Sequence, residues 1–264
     1  MSDAALLALF CGVLGAIIGS FLNVCISRLP MDESIWLPRS HCPRCGAWIA
    51  AYDNIPILSY LLLGGRCRVC RLPISWRYPA VEALTAGLFW AGAARWGASW
   101  QTAKWCLLAA VMIELIFSDI ETRILPDEFT LWGAAAGIML APLAALPPGL
   151  ITLLVGGPSE TPLGSTLNAV ISAILLSGGF WLVGAFYAKL RGREGLGFGD
   201  VKMVAAMGAF LGLEMAMTAI LGASIAGGVL GGLWIFMKGR KASEEELPFG
   251  SFLGVAALLA AWFS

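Results

Sequence analysis

The chain has 264 residues, of which 59% are hydrophobic and only 13% charged, with a mean hydropathy of +0.81 and no formal net charge. Soluble domains carry about 45–50% apolar and about a quarter charged residues, so the composition excludes an ordinary soluble domain and points to a bilayer. The 32 glycines suit helices that approach closely in lipid, and the 11 tryptophans suit membrane interfaces.

The first apolar run, Ala4 to Ser27, is long enough to span, and no positive n-region precedes it. It reads as the first transmembrane helix of the mature protein rather than as a cleaved leader. Further apolar segments lie near Ala80–Ala94, Trp105–Ser118, Phe129–Leu146, Thr166–Ala188, Met203–Leu213, Met215–Met237 and Leu247–Phe263. The expected architecture is an all-α integral membrane protein of about eight transmembrane helices. Residues 1–27 form its first helix, 28–78 a loop, and 79–264 a helical bundle. The second, third and sixth segments fall short of the roughly 20 residues a bilayer asks for, so flanking residues or burial must complete them. Glu82 and Glu114 lie within two of the segments, and an acid at that depth should face protein.

Charge sets the orientation. With both termini outside, all but Arg95 and Lys104 of the 17 cationic residues fall in cytoplasmic loops, as the positive-inside rule asks. The loop 28–78 then lies in the cytoplasm. It contains Cys42-Pro-Arg-Cys45 and Cys67-Arg-Val-Cys70, a C-x2-C-x21-C-x2-C pattern. In a reducing compartment two disulfides are not expected, whereas four thiolates make a closed tetrahedral zinc site. Cys42, Cys45, Cys67 and Cys70 are therefore the expected metal ligands of a zinc-ribbon-like loop, with the zinc structural. Redox-active or unmetallated thiols are the competing reading. His41, the one histidine, is expected at the surface, because four thiolates fill the shell. Trp36, Trp48 and Trp76 are expected to form the small core of the loop or its membrane contact.

Two stretches break the apolar pattern with acids at a membrane boundary. They are Phe117-Ser-Asp119-Ile-Glu-Thr-Arg-Ile-Leu-Pro126-Asp127 and Gly195-Leu-Gly197-Phe-Gly199-Asp200-Val-Lys202. Both fall in cytoplasmic loops, so Asp119 and Asp200 can meet near the membrane surface. Two adjacent carboxylates share one proton. The ionised member can activate water while the protonated member polarises a carbonyl. One histidine leaves no triad to compete. Taken singly, Asp200 reads equally as a helix cap, Asp119 as a boundary charge and Asp127 as a helix start. Lys202 reads either as a bias on the pair or as a headgroup contact.

Taken together, these residues resemble the bacterial type IV prepilin peptidases, the leader peptidases of pilus assembly and type II secretion. The resemblance rests on Gly19-Ser-Phe-Leu-Asn-Val24, the paired C-x2-C loop and Arg77-Tyr-Pro-Ala-Val-Glu82. It continues through Asp119 with Leu125-Pro-Asp127, Gly197-Phe-Gly-Asp200 and Pro248-Phe-Gly250. It implies catalytic aspartates at Asp119 and Asp200, a G-x-G-D feature that presenilin-like proteases share. It also implies removal of a short basic leader after a glycine, at the cytoplasmic face of the bacterial inner membrane. N-methylation of the new amino terminus with S-adenosylmethionine is implied as well, and the cysteine loop belongs to that part. Expected partners are pilin-like or pseudopilin precursors and membrane lipid, with no nucleic acid. Glu121, Asp127 or lipid headgroups are candidates to recognise the leader.

No glycine-rich nucleotide loop between a strand and a helix is present, so the residues that would bind the methyl donor are unknown. Leu146–Ser165 reads as an added outer loop, neutral for catalysis. The alternatives are a membrane scaffold that docks a partner through its zinc loop, or a transporter lined by Glu82, Glu114, Asp119 and Asp200. The absence of a second copy of either motif speaks against the internal repeats of a transporter.

Overall fold

The computed structural model describes residues 2–147, 149–151, 161–192, 196–238 and 247–264, without the side chains of Ile235 and Lys238. Half of the outer loop expected at Leu146–Ser165 (148 and 152–160), together with Arg193, Gly195, Arg240 and Lys241, lies outside the described residues. The described chain is helical, with no strand and two isolated antiparallel bridges in the cysteine loop. The helices are α1 (Asp3–Arg28), α2 (Leu58–Leu62), α3 (Arg77–Trp96), α4 (Trp100–Thr122), α5 (Asp127–Leu140), α6 (Pro162–Arg191), α7 (Phe198–Leu211), α8 (Leu213–Lys238) and α9 (Phe249–Phe263). Every apolar segment marked in the sequence falls on one of the eight longer helices. Asp3–Met31, Pro162–Arg191 and Leu213–Trp234 are long and apolar enough to cross a membrane unaided. At 14 residues each, α5 and α7 reach about 21 Å at 1.5 Å per residue, well short of hydrocarbon about 30 Å thick.

Helix ends follow local chemistry. Ser2 caps α1 by accepting from the Ala5 N–H, and Asp3 and Arg28 sit at the ends that suit their charges. Thr161 caps α6 by accepting from the Gly164 N–H, with Pro162 in the first turn and Gly192 closing the helix at positive φ.

The chain forms two compact units, Met1–Glu114 and Leu115–Ser264. In the first, α1 packs along α3. The seam has no side chains at Gly15 and Gly19: a Cβ on Gly15 would lie 2.8 Å from the Thr85 carbonyl oxygen, and one on Gly19 would lie 2.7 Å from Glu82 Cα. Polar bonds lock the seam where the loop begins and ends. Asn23 donates to the carbonyls of Gly19 and Tyr78, and Arg77 donates to Ser27 Oγ at 2.8 Å. Glu82 is buried as its position asked, and its Oε2 accepts the Ile57 N–H at 2.7 Å. Glu114 is fully buried too.

In the second unit α7 is the central helix, with Met203, Val204, Ala206, Met207 and Ala209 fully buried. That burial answers its shortness, because α7 meets protein where a spanning helix would meet lipid. It approaches α6 through Gly208, where a Cβ would lie 2.8 Å from the Ser172 carbonyl carbon, and α5 through Gly137, packed on Ala209 and Phe210. Close backbone approach through small residues is how helices gain packing energy in lipid.

Because the α1–α3 seam has no room for a side chain, Gly19→Val should lower stability by about 1–3 kcal/mol through overpacking. Gly87→Ala on α3, where a Cβ meets open space, should be neutral or stabilising by up to about 1 kcal/mol. Thermal unfolding of both variants in one detergent checks the contrast.

Candidate active site and metal centre

The sequence Ser118-Asp119 falls in the last turns of α4, which ends at Thr122 and closes with Arg123 at positive φ. Asp119 is 6% exposed. Its Oδ2 accepts the Ser251 N–H at 2.7 Å and lies 2.9 Å from Ser251 Oγ, which also lies 3.1 Å from the Ile116 carbonyl oxygen. Ser251 stands in the first turn of α9, following Pro248-Phe-Gly250. α9 comes this close because two of its positions carry no side chain. A Cβ on Gly250 would lie 3.2 Å from Asp119 Oδ2, and one on Gly254 would lie 2.5 Å from Ile116 Cγ1.

Asp200 enters from α7. Gly197 is the cap residue and Asp200 sits in the first turn, so Asp200 is not the N-cap. Its carboxylate is half-buried and lies within Coulombic range of Asp119. Leu125, buried beyond the end of α4, fills the space between the two acid-bearing helices and α9. A Cβ on Gly199 would lie 3.1 Å from Leu125 Cβ, and one on Gly250 would lie 3.2 Å from Leu125 Cδ1. The two carboxylates thus lie at one end of the unit, that of Asp119 held by the Ser251 N–H and hydroxyl and that of Asp200 beside the Gly197 backbone.

The cysteine loop is a second centre. The four Sγ atoms of Cys42, Cys45, Cys67 and Cys70 lie within 4.8 Å of one another, with Cys42 and Cys70 at 3.9 Å. Tetrahedral zinc at about 2.3 Å from each sulfur sets neighbouring sulfurs about 3.8 Å apart, so the thiols fit such an ion and the loop is zinc-ribbon-like. The two knuckles repeat one backbone pattern. The Cys42 N–H donates to the Ala47 carbonyl and the Gly46 N–H to that of Cys42. In the second knuckle Cys67 pairs with Leu72, and Arg71 with Cys67, in the same way. Both need a left-handed residue after the second cysteine, and they use Gly46 at φ 70° and Arg71 at φ 59°. Backbone N–H groups of Cys70 and Val69 hold the Cys67 thiol down to about 7, which favours the metal-binding thiolate at neutral pH. Arg68 clasps Asp53 with two bonds of 2.7 and 2.6 Å, which hold that carboxyl below its usual range. His41 is exposed and stays outside the thiol cluster. Its ring meets Trp48 edge-on. Trp36, Trp48 and Trp76 are all exposed, so they do not form a core and the membrane contact is the reading left.

Comparison with known proteins follows the same division. Residues 13–96 match the Bacterial Peptidase A24 N-terminal domain and residues 106–232 match the Type IV leader peptidase family. A Myxococcus xanthus protein is 40% identical over 243 residues, covering 91% of this chain and 67% of the relative. A Neisseria gonorrhoeae protein is 39% identical over 284 residues, covering 97% and 92%. One from Burkholderia pseudomallei is 38% identical over 280 residues, covering 96% and 84%. Each bears the name prepilin leader peptidase/N-methyltransferase. The chain belongs to the type IV leader peptidase family. No solved structure matches it.

Two features of this family member were not visible in its sequence. Ser251 looks like any small residue opening an apolar helix, yet its N–H and its hydroxyl both reach the Asp119 carboxylate. Lys202 pairs with Asp127 and lies over the Phe198 ring, an outcome neither reading of Lys202 included. The only sequence signal for the pair was opposite charge in the first turns of two short helices.

Metal analysis of the purified protein should return one zinc per chain, lost on Cys42→Ser or Cys70→Ser, and zinc affinity should fall with falling pH because protons compete for the thiolates. Arg71→Gly should retain the zinc and stabilise the loop by up to about 1 kcal/mol, by relieving a left-handed non-glycine residue. Thermal unfolding with metal bound reads the second effect.

Proposed function

We propose that this protein is a membrane-embedded aspartic endopeptidase that removes the short leader of type IV prepilin-like precursors after a glycine. The new amino terminus is then N-methylated. In this reading Asp119 and Asp200 are the catalytic pair, and one observation carries it: a buried Asp119 gripped by Ser251 within Coulombic reach of Asp200. Names borne by the relatives support both activities.

The arrangement suits a shared proton. The Ser251 hydroxyl has one hydrogen and two acceptors beside it. With Asp119 ionised, that hydrogen goes to Oδ2. With Asp119 protonated, the carboxyl donates to Ser251 Oγ and the hydroxyl turns to the Ile116 carbonyl. Ser251 thus holds one geometry in both protonation states. Water entering between the carboxylates loses a proton to the ionised member as it attacks the scissile carbonyl carbon. The protonated member gives its proton to the carbonyl oxygen. Collapse of the tetrahedral species breaks the C–N bond, and the leaving amine takes up the proton from the pair. Lys202, held by Asp127, ties the start of α7, which carries Asp200, to the start of α5. Glu121, exposed at the end of α4, is the acid this reading assigns to the basic leader.

Residues 1–27 serve as the first transmembrane helix, 28–78 as the cytoplasmic cysteine loop with structural zinc on Cys42, Cys45, Cys67 and Cys70, and 79–264 as the protease bundle. Eight spans with both termini outside put the pair at the cytoplasmic face of the bacterial inner membrane, where pilin or pseudopilin precursors meet it. The charge distribution supports this orientation. S-adenosylmethionine would supply the methyl group.

Cleavage of a prepilin-type substrate in liposomes, read by mass spectrometry of the product amino terminus, tests the proposal. Asp119→Asn and Asp200→Asn should each abolish cutting while leaving insertion and zinc content intact. Cleavage surviving either change would remove the aspartic mechanism. Ser251→Ala removes one of two bonds to a charged group, about 1.5–3 kcal/mol, and should lower kcat by roughly tenfold or more with little change in KM.

A further inference from the structure

A cavity of about 330 Å³ between the end of α1 and the loop that follows takes no part in the chemistry above. Its size is at the small end of the roughly 300–1,000 Å³ of small-molecule sites. Phe21 and Val24 of α1 form one wall, Trp36 stands on another, and Arg28, Arg39 and Asn54 supply polar groups.

Arg28 is the telling residue. It ends α1, is 9% exposed, and donates to the carbonyls of Ser34 and Pro38 at 2.9 and 2.7 Å. Those bonds use two of its five N–H donors, and no acid among the described residues forms an ion pair with it. Arg39 adds a second positive group, and no acid lines the cavity. Such a cavity selects an anion. It does not fit S-adenosylmethionine, whose sulfonium and ammonium outnumber its one carboxylate.

The surroundings name the source of the anion. Asp3–Met31 is a candidate membrane span, and Arg28 stands in its last turn, about 10 Å along the helix from Phe21. Phe21 is exposed on the apolar side, and Met31, Trp36 and Leu37 are exposed where the chain leaves the helix. Large apolar side chains around an arginine at a helix end belong to a membrane interface. We propose that this cavity binds the headgroup phosphate of an anionic phospholipid, whose acyl chains run past Phe21 and Val24 along α1. A free phosphate would meet the same arginines, but it would leave Phe21 and Trp36 without a partner. The bound lipid supplies the counter-ion Arg28 lacks and steadies residues 34–38 at the root of the cysteine loop.

Native mass spectrometry of the full-length protein, exchanged from detergent into defined lipid mixtures, tests the site. Wild type should retain phosphatidylglycerol in preference to phosphatidylcholine. Arg39→Gln and Trp36→Ala, which touch neither the zinc cluster nor the aspartates, should each weaken retention by roughly fivefold or more, the worth of one interfacial charge. Arg191→Gln at the exposed end of α6 should not. Equal retention of the two lipids, or unchanged binding in both cavity variants, would overturn the proposal. So would displacement of the lipid by millimolar inorganic phosphate or by S-adenosylmethionine.

Discussion

Helices in this protein are held by backbone meeting backbone. In lipid an apolar side chain gains nothing by leaving the hydrocarbon, so association rests on dispersion contacts and on hydrogen bonds that close approach allows. Gly15 and Gly19 give α1 that approach to α3, Gly137 and Gly208 give it to α7, and Gly254 gives it to α9. The candidate site depends on the same device. Only because Gly250 carries no side chain does the first turn of α9 come near enough for Ser251 to reach a buried carboxylate. A chain with so few charged residues thus builds a demanding polar arrangement out of the way its glycines are spaced.

Much of this was legible in the sequence, for physical reasons that also mark where legibility stopped. Eight apolar segments matched eight helices because hydrocarbon penalises any unpaired backbone, and helix is the local solution. Their ends were less exact. Leu140 ends α5 six residues before its apolar run does, because apolarity does not register a turn between buried residues. The four cysteines converged because their spacing is a property of one short stretch. Contacts that join distant stretches were invisible. Ser251 and Asp119 lie 132 residues apart, and Lys202 and Asp127 75 apart. A serine or lysine in a first turn has ordinary local uses that hide the long-range one. The tryptophans of the loop left two readings open, a core or a membrane contact, and their exposure removes the first.

The cysteine loop shows what substitutes for a core. Between Leu29 and Trp76 only Cys42 and Ser59 are buried. So little burial cannot offset the entropy of ordering the chain, and the fold of the loop must rest on its thiol cluster, the Asp53–Arg68 clasp, and the ties of Arg28 and Glu82 to its two ends. Metal affinity and folding of this stretch are then one equilibrium.

Leu125 is a spacer cut to one length. It lies against the positions of Gly199 and Gly250 at once, so the helix that carries Asp200 and the helix whose serine grips Asp119 both rest on one side chain. The distance between the acids is therefore gauged by an apolar residue that takes no part in proton transfer. Moving either helix would change the seat of Leu125, and a side chain with few rotamers makes such a change a step rather than a drift.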